Sequence, residues 1–430
     1  MNDFRRTVLW VIFGFSMVLL WDQWQVHNGN KATFFPTPAQ QVKAVEATAS
    51  AASHPAGVPA AIAPQNTATV PAVEARAASK ELVQVETDLF KLSFDTEGGT
   101  LARVELLKHE DEHKPGHNIV LLDDTKDRIY TAQTGLISST PGEALPTHKS
   151  VMTVRPGARK LKDGDNELSI TFESALQSGV KLVKTYTVKR GAYDMAVKHD
   201  IVNTGAQDVA PQLYFQLVRD GNKPAGESSF YSTFTGPAIY TEAKKYQKAE
   251  FADIKKKKVD VEKQSNTGYI AMVQHYFASA WILPEGMSRD ISLDAVDIGS
   301  AMPDCCYRVT AIAPLEIIKP GQTKSVAATF YAGPQEEKKL EALYPGLELV
   351  KDYGWLTILA KPLFWLLDQL NSILKNWGWS IVSLVVLLKA GFYWLNVHAY
   401  QSMAKMKAIN PKIMEMRERL KTTRNKCKWR

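Results

Sequence analysis

Between residues 81 and 334, apolar and polar residues alternate in short runs, and no other feature restricts the fold so tightly. The segments "VQVETDLFKLSFD", "NELSITFES", "VKLVKTYTVKR", "YDMAVKHDIVN", "PQLYFQLVRD" and "KSVAATFYAGP" show it, with Gly, Asn, Asp and Pro between them. Successive strand side chains point to opposite faces, so this pattern predicts half-buried antiparallel strands. About 250 residues then belong to one large all-β domain, a sandwich.

Both flanks are different. Arg5 and Arg6 precede an apolar run from Thr7 to Trp21, with Trp10 within it and Trp21 and Trp24 at its far end. No small-x-small pair follows closely, so residues 1–25 read as a retained transmembrane anchor rather than a cleaved signal, with the arginines cytoplasmic. Residues 26–80 are rich in Ala, Pro, Thr and Ser. Such a stretch buries too little surface to offset its ordering entropy and is expected to be a flexible linker. The domain at 81–334 then lies outside the cytoplasm, together with a helical connector over 335–376.

That connector returns to helical spacing. Trp355, Leu356, Leu359, Leu363, Phe364, Leu367, Leu370 and Ile373 gather on one broad face, interrupted elsewhere by Lys361, Asp368 and Lys375. It is too interrupted to span a bilayer and suits an amphipathic helix lying in the interface, carrying Trp355, Lys361, Pro362, Phe364 and Trp365, with a kink expected at Pro362. A buried helix of the β domain is the alternative. Residues 377–397 follow as a second transmembrane helix, and the basic stretch 398–420 begins a cytoplasmic helical loop. The topology is in, out, in.

The chain of 430 residues carries a net charge of +7, with 45% apolar and 23% charged residues. The basic residues cluster beside apolar spans, which favours the lipid bilayer as partner and argues against nucleic acid. Cys305, Cys306 and Cys427 are the only cysteines. Adjacent cysteines rarely bridge, so Cys305 and Cys306 are expected to be small buried residues. His109, His113 and His117 recur at four-residue steps, but Pro115 and Gly116 break any helix that would align them, and no metal site is expected. Lys255–Lys258 is a solvated face or a surface for anionic headgroups or a partner. No serine elbow, phosphate loop or glycine fingerprint occurs. The chain is expected to be neither an enzyme nor a cofactor carrier.

Within the second span sits Lys389, about 18 Å from Trp377 along a straight helix. A charge at such depth costs roughly 2.5–3.5 kcal/mol. Lys389, Tyr393, Asn396 and Tyr400 follow steps of four, three and four, which would place them on one helix face. The lysine can snorkel to headgroups, pair with an acid on a neighbouring helix, or line a water-filled cavity.

Three stretches carry a resemblance. "LVKDYGWLTILAKPLFWLLDQLNSILKNWGWSIV", "YQSMAKMKAINPKIMEMRERL" and "TGYIAMVQHYFASAWILP" resemble segments of the YidC/Oxa family of membrane protein insertases in its Gram-negative form, and "RRTVLWVIFGFSMVLLWDQWQ" fits it too. The resemblance runs to about Leu420. It implies a periplasmic β-supersandwich and an insertase core with a hydrophilic groove. It also implies one positive charge on the second transmembrane helix, matched here by Lys389, with Tyr393, Asn396 and Tyr400 on the groove face. The family often has Pro where this chain has Trp394. The implied partners are nascent inner-membrane proteins and the Sec translocon, and the implied place is the inner membrane.

Residues 421–430, "KTTRNKCKWR", depart from the family. One base inserted after the first lysine codon of a back-translated tail gives K-D-D-P-Q-Q-M-Q-M-A-M, the kind of continuation the family carries. The expectation is a frameshifted tail on an N-terminal part of an insertase, with groove walls missing and insertion lost. The competing reading is a membrane-tethered β-sandwich that binds glycans or partner proteins.

Overall fold

The computed structural model describes residues 81–427, apart from 112–113, 126–127, 141, 223, 225–232, 297–305 and 354–356. The anchor at 1–25, the linker at 26–80, and Trp355 lie outside the described residues.

Eighteen described strands form two nine-stranded sheets. In spatial order the first holds β1 (Leu82–Glu86), β2 (Phe90–Asp95), β3 (Thr100–Glu110), β4 (Asn118–Asp124), β5 (Ile129–Ser138), β10 (Pro211–Asp220), β17 (Cys306–Pro314), β16 (Arg289–Val296) and β13 (Gln264–Ser265). The second holds β12 (Lys245–Lys248), β11 (Gly236–Thr241), β14 (Tyr269–Gln274), β15 (Phe277–Ile282), β18 (Thr323–Pro334), β9 (Asp194–Asn203), β8 (Val180–Lys189), β7 (Glu167–Ser174) and β6 (Met152–Val154). The neighbouring strands pair antiparallel, as the alternation predicts. In β8, Val180, Leu182, Lys184, Tyr186 and Val188 are buried, and the residues between them are half-buried.

The two inner faces meet over large side chains. Trp281 of the second sheet packs between Phe215 of the first and Phe330 of its own, with ring centroids 5.3 and 4.6 Å away. Its Nε1 donates to the Gln216 carbonyl at 3.3 Å, so the indole buries its apolar body without leaving its one donor unmet. The Tyr130 hydroxyl of the first sheet meets Ser279 Oγ at 2.6 Å and donates to the Met272 carbonyl at 3.2 Å in the second.

One quoted segment carries a different meaning in three dimensions. All ten residues of β10 are buried, on both faces of the strand. Two of its polar members meet partners inside: Asp220 accepts from the Ile129 amide at 2.9 Å, and the Arg219 guanidinium lies 5.1 Å from the Tyr130 ring centre. Alternation there marks two covered faces rather than an inside and an outside. Cys306 is buried as expected, but its sulfur is held in a disulfide, and Cys305 lies outside the described residues. Sequence spacing does not reveal which sulfurs a fold brings together.

A short helix α1 (Phe251–Lys255) follows β12, and α2 (Glu337–Leu343) follows β18. After α2 the chain stays welded to the second sheet. The Gly268 amide donates to the Tyr344 hydroxyl at 2.9 Å, and the Tyr269 hydroxyl donates to the Gly346 carbonyl at 2.9 Å. Gly346 has φ +96°, and a Cβ there would come within 2.6 Å of the Tyr240 ring, so this turn requires glycine.

Three more helices complete the described chain: α3 (Thr357–Leu374), α4 (Trp377–Gly391) and α5 (Tyr393–Cys427). Helix α3 has no buried residue, which excludes the buried-helix alternative, and it encloses Pro362 as one continuous helix. Helix α5 likewise runs through Pro411. Proline removes one hydrogen bond and crowds the carbonyl four residues back, but its φ is helical and the helix continues at that cost.

Candidate insertion site and its junction with the β domain

The apolar run does not form the single straight span that its hydropathy predicts. Helix α4 ends at Gly391 and α5 begins at Tyr393. No single described helix is long and apolar enough to cross a membrane; by length and composition alone, Trp377–Gly391 and Asn396–Arg417 taken together match a broken span, bent by 54°. Glycine is a weak helix former, and three bulky aromatics, Phe392, Tyr393 and Trp394, crowd the next turn. The break is narrow. The Phe392 amide still bonds the Leu388 carbonyl, and the Asn396 amide the Phe392 carbonyl, both at 2.9 Å.

Lys389 lies in the last turn of α4, where a cation also suits the helix dipole. Tyr393, Asn396 and Tyr400 lie beyond the bend on α5. All four are exposed, Tyr393 by 69% and Tyr400 by 70%. The continuous face that the spacing suggests is therefore divided between two helices, with Lys389 on the near side. The seven aliphatic side chains between Ile381 and Leu388 offset roughly 3 kcal/mol, about what one lysine costs at that depth.

Helix α3 carries two distinct faces. Ile358, Pro362, Trp365 and Ile373 follow one another at helical steps and are exposed, Ile358 by 90%. About a quarter-turn away, Lys361, Phe364 and Asp368 at steps of three and four meet the β domain. Glu337 is the centre of that contact. It accepts from the Tyr353 hydroxyl at 3.0 Å, and the Lys351 and Lys361 ammonium groups lie 3.9 and 3.7 Å away. Lys338 pairs with Asp368 at 2.6 Å. The Lys351 ammonium sits 3.6 Å from the centre of the Phe364 ring. Burial lowers the proton affinity of Lys351 there, against the pull of Glu337 and Asp368. Burial, then the hydrogen bond to Glu337, holds the Tyr353 phenol above its usual value.

From sequence, Phe364 belongs to the apolar membrane face, and Lys361 and Asp368 only interrupt it. The structure turns these three to the β domain instead, because the acid and bases of residues 337–351 wait there. Their i, i+3, i+7 spacing was the available signal. The segment reverses at Lys375, with φ +51°, and Asn376 caps α4 by accepting from the Trp379 amide at 3.2 Å.

Of the histidine run, His109 packs against its neighbours in the β domain. His109 Nε2 lies 3.1 Å from the Tyr193 hydroxyl, and its ring meets the edge of Phe277. His109 and His117 border an open cleft of about 1130 Å³, and His113 is outside the described residues. Among the described residues no cluster of His, Cys, Asp and Glu could hold a metal ion.

Residues 82–366 match the family described as YidC periplasmic domain, and residues 369–429 match that described as 60Kd inner membrane protein. Fold and matches together define an inner-membrane protein that carries a large periplasmic β domain. Membrane protein insertase YidC of Janthinobacterium sp. (strain Marseille) is 46% identical over 97% of this chain and 73% of its own length. That of Cupriavidus metallidurans is 49% identical with the same coverage. The chain belongs to the YidC family of membrane protein insertases. Among solved structures, a galactose mutarotase-like protein from Lactobacillus casei superposes with a TM-score of 0.36 at 8% identity, over 59% of this chain and all of that one.

Proposed function

We propose that this chain receives the polar parts of nascent inner-membrane proteins on the surface formed by Lys389, Tyr393, Asn396 and Tyr400. The observation that supports this reading is an exposed cation beside the bend, in the last turn of the otherwise apolar helix α4. A buried or lipid-facing ammonium ion is costly, and an incoming carboxylate, hydroxyl or amide backbone lowers that cost. Burial of the incoming apolar segment in lipid then supplies the free energy of insertion. No covalent step is needed, so the chain acts as an insertase and chaperone rather than as an enzyme, without a cofactor.

The topology we propose places residues 1–25 across the inner membrane with the N-terminus inside. Residues 26–376 are then periplasmic, and the segment from 398 onward is cytoplasmic. Ile358, Pro362 and Trp365 of α3, with the preceding Trp355, enter the interface. The Sec translocon is a second partner in this reading.

A photo-crosslinking residue placed at Tyr393 in the full chain tests it, with a ribosome-bound nascent membrane protein as probe. Lys389→Arg should retain the crosslink, and Lys389→Glu should reduce it by about tenfold. Equal crosslinking by Lys389→Glu and the parent chain refutes the proposal.

A further inference from the structure

The surface around Lys255–Lys258 is strongly basic. Between residues 244 and 263 there are eight lysines and four acids, and all eight lysines are exposed. The fold holds them in place. Ile254 is buried, and the Phe251 ring stacks on Tyr307 with centroids 4.5 Å apart, which anchors α1 against the first sheet. The Lys256, Lys257 and Lys258 amides close the end of α1 onto the carbonyls of Ala252, Ile254 and Asp253. Lys257 adopts φ +54°, an uncommon conformation for a non-glycine residue. Four adjacent like charges are therefore displayed on an ordered turn rather than on a free loop, despite their mutual repulsion.

A second observation says what this edge faces. Lys248, at the end of β12, pairs with Asp352. Asp352 precedes α3 by five residues, a reach of at most about 17 Å. Helix α3 carries the exposed Ile358, Pro362, Trp365 and Ile373 face. The strand from which α1 and its lysines follow is thus tied to the segment that leads into the interface. An anionic headgroup layer carries the charge opposite to this edge.

We propose that the edge formed by Lys244, Lys245, Lys248 and Lys255–Lys258 docks on anionic phospholipid headgroups and holds the β domain down on the bilayer. This rests on the reading of α3 as an interfacial helix. Each lysine near such a surface is drawn to it through a field that salt screens within about a Debye length, roughly 8 Å at physiological ionic strength.

Hydrogen exchange of the full chain in nanodiscs tests it, comparing phosphatidylcholine alone with phosphatidylcholine plus phosphatidylglycerol. The amides of 255–258 should exchange about fivefold more slowly with phosphatidylglycerol. The slowing should vanish in high salt and in K255Q/K256Q/K257Q/K258Q, with the turn at 162–165 unchanged throughout. Equal exchange in the two lipids, or slowing that salt leaves intact, overturns the proposal; slowing that appears only after a soluble protein partner is added does so too. Protection of α3 in both lipids reports separately on its interfacial position, so the two readings fail independently.

Discussion

Among single residues, Lys184 is the least expected. It lies on the inner face of β8, fully buried, and its ammonium donates to the carbonyls of Gly98 and Thr134 at 2.7 Å each. Burial brings its pKa down to about 7. Nearby His199, with Nε2 2.9 Å from Thr134 Oγ1, is held down to about 3, by burial first and by Lys184 second. Both are bases that bind protons more weakly in the folded chain than in the unfolded one. Stability therefore rises with pH from about 3 to 6.5 through His199, and from about 7 to 10.5 through Lys184. Unfolding of the β domain, followed by Trp281 fluorescence, should show a stability gain of about 2 kcal/mol between pH 7 and pH 9. Lys184→Met should remove that gain while lowering stability at pH 9, because two carbonyls lose their donor. A slope that persists in Lys184→Met would assign it to another group.

At the scale of elements, the Glu337 cluster decides how α3 is carried. Its partners are half-exposed ion pairs and one cation–π contact, so the cluster contributes position more than stability. Glu337→Ala should raise the hydrogen-exchange rate of α3 several-fold while shifting the β-domain stability by less than about 1 kcal/mol. A loss of β-domain stability well beyond that would make the cluster part of the core instead. The strands were legible in the sequence because period two survives wherever one face is dry, as in β8. In β10 the same letters conceal two buried faces, since polar residues such as Asp220 and Arg219 find partners inside. The bend at Gly391 was not legible, because a hydropathy window averages over a single glycine. Nor was the turning of Phe364 towards Lys351, which depends on residues that come together only when β18 and α2 have folded.

Among the described residues, a β domain with its own core is followed by helices α3, α4 and α5, which contribute almost nothing to that core. The buried apolar cluster runs from Val83 to Val350, and of the described residues after it only Ser380 is buried. The β domain should therefore unfold in one transition whose midpoint differs by less than about 2 °C between detergent and nanodisc, while exchange in α4 and α5 changes markedly. A midpoint that follows the lipid would show that the helices share the core after all. The reversal between α3 and α4 adds a mechanical consequence. Lys375 and Asn376 are the only residues between the two helices, and both are committed, one to a left-handed turn and the other to a cap. Where α4 stands in a bilayer, so short a joint would hand a tilt of α4 to α3 and, through Lys361 and Asp368, to Glu337 and Lys338.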